Sequence, residues 1–209
     1  MIASRSGGMF IRAPWAVVRS RFPRLLLGLF LFGAGSALQV QANLGLSPWE
    51  VLHQGIATRT PLSIGIASIA VSVLVLVLWI PLRQAFGIGT LTNAVLVGLF
   101  IDLVIFTVPA PDSLALRWLF LIGGIVCVAV GSGFYIGVHL GPGPRDGLMT
   151  GIARQGPSLR IARTGIEGSA LVIGWLLGGT IGVGTVLFSL TIGPLVQFFL
   201  PRLEVSVPA

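Results

Sequence analysis

Six long apolar runs, separated by short segments rich in proline and glycine, constrain the fold of this chain more than any other feature. A helix needs roughly 20 consecutive apolar residues to cross the hydrocarbon core of a bilayer. Proline and glycine commonly mark the points where such helices end. The sequence therefore predicts six membrane-spanning helices, at residues 24–42, 63–82, 90–108, 117–138, 161–178 and 185–200.

The composition excludes a soluble globular domain. Hydrophobic residues make up 55% of the 209 residues and charged residues only 9%, whereas about a quarter of the residues in soluble domains are charged. The net charge of +7 comes from arginine, and five arginines precede the first apolar run: Arg5, Arg12, Arg19, Arg21 and Arg24. This placement is typical of an orientation signal and of attraction to anionic lipid. A nucleic-acid partner would need a basic groove with interleaved aromatic residues, which the sequence lacks.

Two proline-containing loops reveal an internal repeat. Residues 44–52 (LGLSPWEVL) and 140–148 (LGPGPRDGL) share leucine, glycine and proline, and each carries an acid two residues after the shared proline. Trp79 then aligns with Trp175, and the glycine turn at 87–90 aligns with the one at 182–185. Each unit contains three spans, an odd number, so the second unit must enter the membrane from the opposite side.

The predicted fold class is thus an all-α membrane protein of two inverted three-helix repeats. The repeats occupy 24–108 and 117–200, each with a short broken or re-entrant helix after its first span, and tails at 1–23 and 201–209 flank them. The first run has a second interpretation, because an arginine-rich start followed by Val40-Gln-Ala42 resembles a secretory signal and its cleavage site. The repeat favours a retained helix, since Gly35 has a counterpart in Gly131.

The arginines also predict an orientation. If the N terminus is cytoplasmic, eleven arginines lie inside and only Arg59 and Arg117 lie outside. The positive-inside rule favours this arrangement, with both termini in the cytoplasm.

Four charged residues are candidates for a solute or ion path: Glu50, Asp102, Arg145 and Asp146. Asp102 lies about twelve residues into the third predicted span, where a carboxylate is costly unless paired, protonated or hydrated. It could instead be hydrogen-bonded glue between helices. Glu50 and Asp146 open the two broken helices, where capping alone could explain an acid. Broken helices of inverted repeats are also where transporters bind their solutes.

Arg163 and Glu167 are predicted to form a buried ion pair within the fifth span. Residues four apart lie on one face of a helix, and a long arginine stem can reach towards the interface. A structural role is therefore expected for this pair.

The sequence predicts no enzyme, cofactor or metal site and no catalytic residue. Cys127 is the only cysteine, and His53 and His139 lack ligand spacing. The glycine turns lack the lysine and the spacing of a phosphate-binding loop.

Several motifs together resemble the YczE/YyaS/YitT-type bacterial membrane proteins, and among them the YczE branch. The motifs are Ser47-Pro-Trp-Glu-Val-Leu52, Gly87-Ile-Gly-Thr-Leu-Thr-Asn93, the run from Leu140 to Met149, Arg163-Thr-Gly-Ile-Glu167 and Gly174-Trp-Leu-Leu-Gly-Gly179. The resemblance covers about residues 25–201 and implies a multi-pass protein of the bacterial inner membrane. Glu50 stands where similar proteins more often have aspartate, which keeps the charge.

Two functions fit these features. Inverted repeats with intramembrane acids favour a transporter or permease for a small polar or cationic solute, with its site at the repeat interface. The alternative is a non-transporting accessory or scaffold component, including the substrate-binding subunit of a larger permease. The expected partners are the lipid bilayer, a small polar or cationic solute, and either a second copy of the chain or another membrane protein.

Overall fold

The computed structural model describes residues 10–11 and 13–205, and every regular element in them is a helix. The eight helices are α1 (Trp15–Ala42), α2 (Pro48–Arg59), α3 (Ile64–Trp79), α4 (Ile88–Thr107), α5 (Leu114–Gly137), α6 (Pro144–Ala153), α7 (Leu159–Leu176) and α8 (Val183–Leu203). The predicted all-α architecture is confirmed. The predicted tails at 1–23 and 201–209 lie partly outside the described residues, which exclude Arg5 and Arg12.

Local capping chemistry decides where these helices begin. Four helices start after a serine whose hydroxyl accepts a backbone N–H three residues later: Ser47, Ser63, Ser113 and Ser158. Such caps satisfy donors that a helix leaves unpaired at its first turn. α4 and α8 start instead at glycine turns, where the Thr90 and Thr185 hydroxyls accept from Gly87 N and Gly182 N at 3.2 Å. The two glycine turns of the sequence repeat thus form the same kind of cap.

Four of the described helices are long and apolar enough to cross a membrane: α1, α4, α5 and α8. The bent pair α2–α3, with an angle of 114° between its helices, would make a fifth if counted as one broken span. The two remaining predicted spans are less clear-cut. α3 has only 16 residues, and α7 contains Arg160, Arg163 and Glu167.

α1 begins nine residues before the first predicted span, at Trp15 instead of residue 24. The length of an apolar run predicts where a helix can cross a bilayer. The helix itself can extend beyond that run as long as its backbone hydrogen bonds are formed. Two arginines near the start of the predicted span are anchored at the ends of other helices. Arg21 donates to Val138 O and Arg24 to Leu203 O, both at 3.0 Å. The end of α8 therefore lies against α1 near Arg24.

One layer of the molecule is built from α4, α1, α5 and α8, in that spatial order. α1 and α5 cross where their glycines let the backbones approach. A Cβ atom built on Gly35 would lie 2.5 Å from Gly124 O, and one on Gly131 would lie 2.6 Å from Phe32 N. These first helices of the two predicted repeats thus form the centre of the fold.

The other four helices form a second layer, in which α2 packs on α7 and α3 on α6. Backbone hydrogen bonds interlock the two halves: Gly184 N donates to Leu44 O at 2.8 Å and Gly89 N to Leu140 O at 2.9 Å. The glycine turn of each half therefore holds the proline-containing loop of the other. As a result, the first turns of α2 and α6 are fixed near the middle of the molecule.

Candidate functional site

A cavity of about 210 Å³ lies where the two halves meet. Each of the eight helices contributes at least one lining residue, and the first turns of both short helices, α2 and α6, reach it. Its polar lining includes the side chains of Ser36, Ser68, Ser72, Asn93 and Ser132. Its size is below the roughly 300–1,000 Å³ typical of drug-sized ligands, so it suits a small solute.

Glu50 lies just behind the wall of this cavity, with its side chain only 1% exposed. Its backbone N–H is capped by Ser47, and its carboxylate turns inwards, 3.0 Å from His53 Nδ1 and 3.4 Å from Arg145 Nη2. A buried carboxylate needs such partners, since an unpaired charge in the interior is costly. The Glu50 carboxylate therefore joins His53 of its own helix to Arg145 of α6.

Arg145 lines the cavity and links the two short helices. Its guanidinium bonds to Glu50 of α2 and lies 5.0 Å from the centre of the Trp49 ring and 6.0 Å from that of Phe32. Aromatic faces attract cations at this range. Trp49 and Arg145 occupy equivalent positions of the sequence repeat, so the two halves contact each other at matching residues.

Asp146 also lines the cavity, but without an arginine partner. Its Oδ2 accepts a short hydrogen bond from the Tyr135 hydroxyl of α5. Among the described residues, no nitrogen of Arg, Lys or His lies within 4.0 Å of its carboxylate. Asp146 is thus the cavity carboxylate without an ion-pair partner within 4.0 Å, and Arg145 and Arg163 act on it from farther away.

Arg163 and Glu167 contact each other as expected, with 3.0 Å between Nε and Oε1. They are more exposed than a buried pair, at 46% and 26% of the side-chain surface, because α7 buries only a narrow face. Both line the cavity from the α7 side. Arg163 and Glu167, for which the sequence predicts a structural role, therefore also form part of the cavity wall.

Comparisons with known proteins agree with this architecture. The model of a family of unknown function, DUF6198, matches residues 19–201. The chain belongs to this family.

Its relatives cover most of its length. The DUF6198 chain is 41% identical to an uncharacterized protein of Haemophilus influenzae, over 89% of the chain and 86% of the relative. It is 34% identical to the uncharacterized membrane protein YczE of Bacillus subtilis, over 84% and 83% of the two chains. It is 27% identical to the uncharacterized protein YyaS of the same organism, over 85% and 91%. No solved structure matches it. The resemblance to YczE-type proteins is confirmed.

Asp102 of this DUF6198 protein lies away from the cavity, five residues before the end of α4. Its carboxylate accepts from the Ser63 hydroxyl and, at 2.8 Å, from Gly65 N. It thereby caps the start of α3 and ties that helix to α4. Of the four candidates for the path, the structure thus places two in the cavity lining, one behind it and one in a helix contact.

Two partners of the site escaped the sequence analysis. His53 has a local signal, because it lies one helical turn after Glu50. Tyr135 has none beyond being the chain's only tyrosine, since only the bend between α5 and α6 brings its hydroxyl to Asp146. In the part of the chain that the structure describes, no three His, Cys, Asp or Glu side chains are placed to hold a metal ion.

Proposed function

We propose that this protein is a six-span transporter of a small polar solute, with the cavity as its binding site. In this proposal α3 and α7 are the second span of each of two inverted repeats, and α2 and α6 are the short re-entrant helices that precede them. Transporters of this type bind solute at the repeat interface, next to the ends of broken helices. The location of the cavity, between the first turns of α2 and α6, supports the proposal.

The observation that carries the proposal is a difference between two equivalent helix contacts. We call the contact between α3 and α4 the first seam and the region between α7 and α8 the second seam. The first seam is closed, because Gly98 lies directly against Gly65 and Ile69, and Asp102 caps α3 across it. Such close glycine contacts are typical of packed membrane helices.

The second seam is open. α7 packs on α2 and α6 and makes no comparable contact with α8. Gly193, the counterpart of Gly98, and Gly165, the counterpart of Ile69, have no atom within 4 Å of a built Cβ. Gln197, at the position that corresponds to Asp102, lines the cavity.

Trp79 and Trp175 show the same difference between the halves. Trp79 of α3 is fully buried and donates from Nε1 to Pro144 O at 3.0 Å, whereas its counterpart Trp175 of α7 is 58% exposed. Two equivalent halves in different conformations are what alternating access requires, since exchanging the conformations closes one route and opens the other. We therefore assign the present structure to a state that opens through the second seam.

The proposed orientation is tested by cysteine labelling. In a Cys127→Ser background, Thr60→Cys and Gln155→Cys place exposed thiols in the loops after α2 and α6. The positive-inside distribution of arginines predicts that an impermeant thiol reagent added to intact cells labels position 60 and spares position 155. Labelling of both positions from outside would exclude the inverted arrangement.

Closure of the second seam is tested by cross-linking. A disulfide requires Cα atoms within about 7 Å. We expect the pair Gly165→Cys and Gly193→Cys to form one only when α7 moves onto α8, because neither position has a neighbouring atom within 4 Å of a Cβ in the present structure. The matched pair Ser63→Cys and Asp102→Cys joins positions already in contact and should cross-link at once. A permanently static protein would cross-link only the second pair.

Transport itself is tested in proteoliposomes loaded with a mixture of small polar metabolites. We expect at least one solute to leave faster through the wild type than through the Ser63→Cys, Asp102→Cys protein in its oxidised form, and reduction should restore the rate. If no solute moves and the second seam never closes, the accessory or scaffold role is supported instead. The mostly exposed surface of α8 would then be the surface for a membrane partner.

A further inference from the structure

We infer that the cavity binds a small organic cation, an ammonium or guanidinium group, with Asp146 as its counter-charge. The inference rests on the proposed function for the location of the site and adds the class of solute. Three features of the cavity carry it: the pairing of its charges, the aromatic walls and the small volume.

Of the three carboxylates around the cavity, two are paired with arginines and one is not. Arg145 is paired with Glu50 at 3.4 Å and Arg163 with Glu167 at 3.0 Å. Asp146 accepts the hydroxyl bond of Tyr135 but has no cationic partner within 4.0 Å among the described residues. Two arginines thus stand against three carboxylates. A bound monovalent cation would complete the balance and leave both ion pairs in place.

The cavity walls already hold an organic cation that the chain itself supplies. The Arg145 guanidinium lies against the rings of Trp49 and Phe32, and Phe32 continues edge-on to the Tyr135 ring, with 6.0 Å between ring centres. Phe32 therefore connects the bound guanidinium to the residue that donates to Asp146. Ring faces next to a carboxylate are the usual surroundings of ammonium ligands.

A divalent inorganic cation fits this site less well. A calcium ion takes six to eight oxygen ligands and magnesium near-octahedral oxygen geometry, whereas Asp146 is the cavity's single carboxylate without an ionic partner. The volume of about 210 Å³ limits the solute to a few heavy atoms beyond the charged group. Small quaternary ammonium and guanidinium ions are therefore the appropriate probes.

Binding is measured on the purified full-length protein in detergent, by thermal shift and by calorimetry. Choline is compared with 3,3-dimethylbutan-1-ol, its uncharged isostere, and guanidinium with urea; sodium chloride controls for ionic strength. We expect at least one organic cation to bind at least tenfold more tightly than its neutral counterpart and to stabilise the protein where sodium does not. Equal effects within both pairs, or an equal effect of sodium, would overturn the inference. These comparisons use the wild type alone.

Variants then locate the site. Asp146→Asn should reduce the affinity for the cation at least tenfold, and Asp146→Glu should retain a measurable part of it. Asp112→Asn makes the same change at an exposed loop residue between α4 and α5 and should leave the affinity unchanged. Undiminished binding by a folded Asp146→Asn protein would overturn the assignment of Asp146. If that variant does not fold, the wild-type comparison still decides whether the protein selects organic cations, and the Asp146→Glu variant tests the location of the site.

Failure of this inference and failure of the proposed function give different results. Binding in detergent requires no movement of solute and no closure of the second seam. Cation binding without closure would keep the site and refute transport, whereas closure and flux without cation selectivity would keep transport and refute the assigned solute class.

Discussion

Replacing Gly124 with leucine is expected to destabilise the fold strongly, because this glycine lies in the crossing of α1 and α5. A Cβ atom there would be 2.7 Å from Gly35 O and 3.1 Å from a side-chain carbon of Gln39. The obstacle is backbone, which gives way only if the two central helices separate. We expect a loss of about 3 kcal/mol, at the upper end for an overpacked interior. For a chain of this size that lowers the melting temperature by roughly 6–12 °C, measurable by the loss of monodisperse protein on heating.

The adjacent residue provides a matched control. Gly123 lies on the same helix, and a Cβ atom there meets no atom within 4 Å. Gly123→Leu makes the same change in helix propensity at a position that points away from α1, so its melting temperature should stay near or above that of the wild type. Equal destabilisation by both substitutions would mean that the α1–α5 crossing does not depend on glycine.

Removing the charge of Arg145 is the second change expected to have a large effect. Arg145→Met leaves the Glu50 carboxylate, 1% exposed, with only His53 beside it. Breaking a buried ion pair on one side typically costs about 3–5 kcal/mol, because the remaining charge stays desolvated. We expect a corresponding loss of thermal stability in detergent.

The double replacement Glu50→Gln and Arg145→Met should recover more than half of that loss, because it removes the stranded charge as well. Arg154→Met is the matched control on the same short stretch of chain. Arg154 is exposed and bonds only to Gln84 at 3.4 Å, so this variant should lose about 1 kcal/mol at most. If the two arginine variants behaved alike, or if the double variant were less stable than Arg145→Met, the Glu50–Arg145 contact would not be an important part of the fold.

Local features of the sequence predicted much of the helical framework. Runs of apolar residues located α1, α4, α5 and α8, because the length needed to cross a bilayer is fixed by the rise of a helix. The glycine turns marked the starts of α4 and α8, because the threonine cap in each turn acts through a hydrogen bond to a residue only three positions away. The two proline-containing loops located the short helices α2 and α6, and with them Arg145 and Asp146.

The sequence did not reveal which of the candidate charges belong together. Glu50 bonds to Arg145, 95 residues later, and nothing local in either segment indicates the other. Asp102 was chosen as a candidate for the solute path because it lies deep in an apolar run. In the structure its carboxylate caps α3 instead. The sequence shows how far along its own helix an acidic residue lies. Its hydrogen-bonding partner depends on which helix packs opposite it.

The sequence by itself determined that the chain is helical, that it is apolar enough for a membrane and that its two halves repeat one pattern. Only the tertiary structure decided that these halves differ, with Gly98 against Gly65 in one and Gly193 facing open space in the other. The physical reason is that capping depends on neighbours within a few residues, and the glycine turns and proline-containing loops that set it recur in both halves. The packing of α3 on α4, and of α7 away from α8, depends on which helices share the remaining space, and only the folded chain settles this.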